Sequence, residues 1–338
     1  MPNEDSVPQA YKYSWSSSSE ITLEDFLTKF KPSMVQNDGT KPWIWVHGSG
    51  APADDDRGEE EAEEEASKYL EEITEKVEAI KNDDSIPVRS NKKTGAKSKK
   101  EVREQVQAEA SVKLKEISVK HGYVVGKWLM FASSEKIDQI WAGIAKSLVS
   151  GPLSETTAFR AKVSTSPENE TPNYQHLICV YMPDVYNKEK VTEVMKILLR
   201  NHGVNLSGVK SDLYTSIGLD SKHPSGIPST AWKNTALLPD KEIKELKDAF
   251  FAELASKKAE PKAEEPKPSE VVTDGEDQSS NAPKVKAKAK PKLKKKVKDD
   301  PFASDDGEET KKSTAKGTKR GPTSDNEDER PEKKTSKK

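Results

Sequence analysis

Chemistry needs particular side chains held close together, so the histidines and the cysteine come first. The five histidines, His47, His121, His176, His202 and His223, are widely separated. None belongs to an HExxH segment, whose two histidines would share one helix face and hold zinc. The single cysteine, Cys179, lies within the apolar run HLICVYM, where a thiol reads as packing rather than as a nucleophile. One cysteine forms no intramolecular disulfide, which fits a reducing compartment. The chain has no GxSxG nucleophile elbow, no GxxxxGK(S/T) phosphate loop and no GxGxxG dinucleotide loop. The expectation is a protein that is not an enzyme and uses no cofactor and no metal.

Residues suited to recognition are more frequent. In KPWIWVH, residues 41–47, aromatic and β-branched residues alternate as in a half-buried strand. That alternation puts Trp43 and Trp45 on one face and Ile44 and Val46 on the other. Trp128 and Trp141 sit among apolar neighbours and read as core. Trp43 and Trp45, with Tyr181, form a candidate stacking surface, because every nucleobase offers an aromatic face. Basic residues suited to phosphate are Arg160, Lys162, Lys210 and Lys222. Lys162 and Lys210 are grouped with the three aromatics as the candidate ligand-binding residues.

The elements that must position these residues follow from pattern and composition. With 34% charged and 32% hydrophobic residues, the chain cannot bury a core along its whole length. The charge is also blocked: residues 59–65 are acidic, while 92–100 and 284–298 are basic. One domain is expected, with a disordered N-terminus at 1–20 and a first helix and strand over 21–50. Residues 51–111 read as a charged insertion, largely disordered, with amphipathic helices over 69–80 and 101–120. The main domain spans 112–256, and 257–338 is a disordered charged tail. Within the main domain the patterns predict strands over 123–132, 158–165, 176–182 and 212–219, and an edge strand over 232–238. Helices are predicted from Ser133 or Ser134 to 150, over 187–200 and over 241–254. Several connections are hairpin-short, so the class is α+β, with a largely antiparallel sheet and helices on one face.

Ordered motifs in this region carry a resemblance. GKWLMF, IDQIWAGIAKSLVSGPLS, AKVST, HLICVYMPD, VTEVMKILLRNHGV, KSDLYTSIGL and PSGIPS resemble the basophilic-leukemia-expressed protein family. The resemblance covers most of residues 112–235 plus KPWIWVHGSG, leaving 51–111 and the tail outside. It implies a fold similar to the cap-binding translation initiation factor 4E, a single domain with a curved sheet. Gly126-Lys127-Trp128, Trp141 and the Trp-rich strand at 43–45 fit that pattern. The residues that would hold a methylated guanine do not: EISVKHGY, before Gly126, lacks a Trp-Glu pair, and Ser-Thr-Ser-Pro-Glu follows the AKV strand. The resemblance thus implies a fold more than a ligand.

The expected function is non-enzymatic binding of RNA or a nucleotide through the Trp43/Trp45/Tyr181 face. The alternative is a protein-interaction scaffold that uses its helical face and has a protein partner. A monomer is expected. The N-terminus lacks an apolar signal region, and no apolar run approaches the roughly 20 residues that span a bilayer. No membrane is expected as a partner, and the cytoplasm or nucleus is the expected location.

Overall fold

The computed structural model describes residues 11–50, 58–169 and 171–259. The expectation of a disordered tail over 257–338 falls almost wholly outside the described residues. The strands are β1 (Ser14–Trp15), β2 (Trp43–His47), β3 (Gly126–Ser133), β4 (Arg160–Ser164), β5 (Gln175–Met182) and β6 (Leu206–Ser211). They form one open sheet in the order β1-β2-β4-β5-β3-β6. The β1–β2 pair is parallel and the other neighbours are antiparallel, so the protein is α+β with a mixed sheet.

Alternation divides the sheet into two faces. Ile44 and Val46, Trp128 and Met130, Ala161 and Val163, and Ile178 and Val180 enter the main core. Against them pack α1 (Leu23–Lys29), α4 (Ile137–Ser150) and α5 (Lys188–His202). In α4 the stripe Ile137, Trp141, Ile144, Ala145 and Leu148 is wholly buried, as its spacing dictates. In α5 the Asn187 side chain accepts from the Lys190 amide at the N-cap, and Gly203 ends the helix in the left-handed region at φ 59°. Gly126 opens β3 because no side chain fits there: a Cβ would collide with the Lys210 carbonyl, Val185 and Ser211. The last helix, α8 (Asp240–Ala259), lies along α5, joined by Lys196–Glu242 at 3.2 Å and an Arg200–Glu253 pair.

Several expectations are corrected. Residues 11–20 are not outside the fold, because Tyr13 and Trp15 are buried and β1 pairs with β2. Of the 51–111 insertion, residues 51–57 lie outside the described residues, and the rest is not a loose excursion. It holds α2 (Glu59–Asn82) and α3 (Lys99–Lys120), which build a second core. Ala62, Ala66, Leu70, Ile73, Val77 and Ile80 of α2 meet Val106, Ala110, Leu114 and Ile117 of α3. This pair closes on Leu213 and Tyr214 of α6 (Asp212–Ser216), with Leu219 and Ile227. The strand predicted over 212–219 is instead the short helix α6 and the turn after it, and the strand, β6, lies just before, at Leu206–Ser211. The edge strand at 232–238 is a single bridge, Val209 to Trp232, and a helical turn, α7 (Asn234–Leu237). Asn234 there donates to the Leu206 carbonyl at 2.6 Å, so that edge is closed by a side chain rather than by a strand ladder. The predicted serine cap of α4 is also absent: the N-cap position is Lys136, with no side-chain cap bond.

Candidate functional site: an aromatic and cationic sheet face

The second face of the sheet collects the side chains that alternate away from the main core. Its rungs follow from the register. One runs His47, Arg160, Tyr181, Lys127 and Lys210 across β2, β4, β5, β3 and β6. The next runs Trp45, Lys162, Cys179, Leu129 and Gly208. Neighbouring strands lie about 4.8 Å apart, so each rung sets its side chains within reach of one another. Three predicted site residues, Trp43, Trp45 and Lys162, are thus cross-strand or same-face neighbours, and Tyr181 joins them. Lys210 is on the same face, two strands beyond Tyr181 and directly opposite Lys127. Like charges directly opposite each other cost stability in an antiparallel pair. Lys222 is elsewhere, exposed in the loop after α6, and takes no part.

The rings hold cations rather than standing bare. Trp45 and Tyr181 are stacked with centroids 5.9 Å apart, and both are buried, at 1% and 0% exposure. The Arg160 guanidinium lies 4.4 Å from the Tyr181 centroid, 5.3 Å from Phe159 and 5.4 Å from Trp45. The Lys162 ammonium lies 4.0 Å from Trp43 and 5.0 Å from Trp45, and itself is 2% exposed. Lys127 reaches within 5.2 Å of Tyr181 and pairs with Asp212 of α6 at 3.1 Å, both buried. A cation over a ring face gains about 0.5–2 kcal/mol, more as water is removed. Trp43 is the half-buried ring, its carbonyl accepting from the Tyr11 hydroxyl at 2.6 Å. The stacking surface expected of three open rings is therefore one accessible ring, Trp43, beside two rings that act as supports for cations.

Sequence pattern alone does not single out Lys127 or Phe159. The signal for Lys127 is present in GKW: once Trp128 is core, alternation sends Lys127 to the opposite face. What sequence does not reveal is that β5 lies between β4 and β3. That order places Tyr181 between Arg160 and Lys127.

Arg160 has a further property. Its Nε is buried with no hydrogen-bond partner, and among the described residues the guanidinium makes no ion pair. Its neighbours are ring faces, which stabilise the charge without accepting the Nε hydrogen bond.

A different polar cluster lies at the other end of β5. The His176 Nδ1 donates to the Ser164 carbonyl at 2.8 Å, which fixes the tautomer, so Nε2 accepts from the Ser134 hydroxyl at 3.1 Å. Burial pushes the His176 pKa down, and the ring is fully buried with Tyr174 packed edge-on at 4.9 Å. The ring is closed off from any reacting group, and the bonds tie β3, β4 and β5 together. Among the described residues no group of three or more His, Cys, Asp or Glu side chains could hold a metal ion. No described helix is long and apolar enough to cross a membrane.

Fold and face together define the class: an α+β domain whose sheet packs helices on one side and carries interleaved aromatic and basic side chains on the other. The chain belongs to the family described as basophilic leukemia-expressed protein Bles03, whose model matches residues 3–216. That match moves the limits of the resemblance. It spans the α2–α3 pair that the motifs left out, and it ends before PSGIPS.

Proposed function

We propose that this protein is a non-enzymatic binder of RNA or a nucleotide, and that its second sheet face takes the ligand. Arg160 is the observation that carries the reading. A guanidinium held over three rings, with its Nε–H unpartnered and no ion pair among the described residues, suits a phosphate, which it meets through two parallel bonds. Lys162 and Lys210 lie on the same face, while the charge of Lys127 there is met by Asp212. Trp43, half-buried at the sheet's second strand, supplies a ring on which one base can stack, worth about 1–3 kcal/mol. A fold like that of initiation factor 4E fits the single sheet with helices on one side, and the cytoplasm or nucleus fits an RNA ligand. The test is an equilibrium titration of the full chain with single-stranded RNA and with nucleoside triphosphates. Arg160→Gln should weaken binding at least about tenfold, since each charge-assisted bond lost contributes about 1.5–3 kcal/mol and every 1.4 kcal/mol is tenfold. Unchanged affinity in Arg160→Gln and in Trp43→Ala would refute the assignment of this face.

The second reading is a protein-interaction scaffold. It is favoured by the burial of Trp45 and Tyr181, which leaves most of the aromatic surface covered. The helical side then supplies the contact, and α3 exposes Val112 and Val119 on one stripe. Binding of a protein partner with undiminished strength by Trp43→Ala and Arg160→Gln variants would support it.

A further inference from the structure

The loop between α2 and α3 has a composition that the rest of the fold does not require. From residue 85 to residue 100 it holds six cations, Arg89, Lys92, Lys93, Lys97, Lys99 and Lys100, and no carboxylate. On sequence alone this stretch reads as unstructured. The structure instead closes it. The Asn91 amide donates to the Ala96 carbonyl at 2.9 Å, the Gly95 amide to the Asn91 carbonyl at 2.9 Å, and the Lys93 amide to the Asn91 side chain at 3.0 Å. Gly95 takes φ 73°, the left-handed conformation this tight turn needs. The Lys99 amide donates to the Pro87 carbonyl at 2.9 Å, and Ser98 and Glu101 form a reciprocal cap on α3. The backbone is thus pinned at both ends while the side chains are left outward.

The cations divide into two groups. Lys99 and Lys100 are used internally: Lys99 donates to the Lys81 carbonyl at 2.9 Å and lies 3.7 Å from Asp84, and Lys100 lies 3.6 Å from Glu104. Arg89, Lys92, Lys93 and Lys97 are exposed and make no ion pair among the described residues. Lys97 bonds to the neutral Gln105, at 2.6 Å, and, behind the Ser98 hydrogen bonds, helps to hold the Glu101 carboxyl below its ordinary value without forming an ion pair with it. Four like charges on one ordered turn repel one another, and nothing in the packing of α2 on α3 needs them. Phosphates spaced along a chain are the partner that such a turn fits, since each phosphate neutralised releases a condensed counterion.

We propose that the loop joining α2 to α3 is a nucleic-acid backbone contact, in which Arg89, Lys92, Lys93 and Lys97 meet successive phosphates of a single strand. It reads no sequence, because it touches phosphates and not base edges. It stands independently of the sheet-face assignment, although both would act on one RNA.

The test uses the full chain, an oligouridylate probe, and titrations across salt concentrations. In one variant Arg89, Lys92, Lys93 and Lys97 are all replaced by Gln. In a control Lys190, Lys196, Lys241 and Lys244, on α5 and α8, are replaced by Gln, giving the same change in net charge. The expected result is a loop variant whose plot of log K against log salt is shallower by about 2–3, since each phosphate neutralised on a single strand adds about 0.7 to the slope. Its melting temperature should be that of the parent, since the four side chains are exposed, and the control should keep the parent slope. Equal slopes in parent and loop variant would overturn the proposal. So would an equal loss in the control, which would show that only net charge matters, or a stronger loss of binding to anionic lipid vesicles than to RNA. The Arg160→Gln variant separates the two sites: with its loop intact it should keep the salt slope to within about 1, the share of a single phosphate.

Discussion

Acidification should destabilise this fold through His202, and the size of the effect can be worked out. His202 ends α5, and its Nε2 is buried with no hydrogen-bond partner. Its Nδ1 faces Gly143 of α4, and the following residue, Gly203, packs on Phe250 of α8. Burial disfavours the charged ring and pushes the pKa down to about 4. In the unfolded chain the ring titrates near 6.5. The sign follows from proton uptake. Between pH 6.5 and 4 the unfolded state binds a proton that the folded state does not, so stability falls as pH falls through that window. Above pH 6.5 the contribution is complete and flat. One pKa unit corresponds to about 1.4 kcal/mol, so most of a loss of about 2–3 kcal/mol should appear between pH 7 and 4.5. His176 is shifted in the same direction by burial and adds to the trend. The assay is urea unfolding of the full chain at both pH values, for the parent and for His202→Leu. The leucine variant has no proton to bind, so its loss over that interval should be smaller by about 2 kcal/mol. Equal losses in parent and variant would refute the claim that the half-buried His202 ring is held neutral in the fold.

Trp128 is fully buried on β3, so Trp128→Ala should cost about 3–5 kcal/mol in the same assay, and a cost below about 1 kcal/mol would contradict its place in the core. Replacing residues 52–98 by a Gly/Ser linker should lower the melting temperature or abolish soluble expression, because removing α2 uncovers Leu114 and Ile117 of α3 and Leu213 of α6; an unchanged melting temperature would refute the second core. Removing residues 258–338, with the basic run at 284–298, should leave the melting temperature unchanged while making RNA binding less salt-sensitive; equal salt slopes with and without these residues would confine RNA binding to the described residues.

Local pattern determined the elements whose periodicity is strong and whose neighbours in sequence suffice. The apolar stripe of α4, the Asn187 cap and Gly203 stop of α5, and the alternation of Trp43 and Trp45 against Ile44 and Val46 all follow from side-chain geometry within a few residues. The α+β class follows from their order. Pattern failed where the inward positions are small or where one element changes type. Ala62 and Ala66 carry little hydrophobic signal, yet they let α2 approach its neighbours, so an acidic run that reads as solvated is half of a core. The turn from β6 into α6 at Ser211 and Asp212 is set by the packing of Leu213 and Tyr214 under the α2–α3 pair, which no local window contains. The same division holds for the site. Sequence supplies Trp43, Trp45, Tyr181, Lys162 and Lys210 as chemically suitable residues and settles which of them share a strand face. Only the strand order β2-β4-β5-β3-β6 decides that Arg160 and Lys162 stand over the rings, and that Lys127 meets Lys210 across a rung. Cross-strand proximity depends on which strands pair and in what register, and those choices are made by the burial of the whole sheet rather than by any one strand.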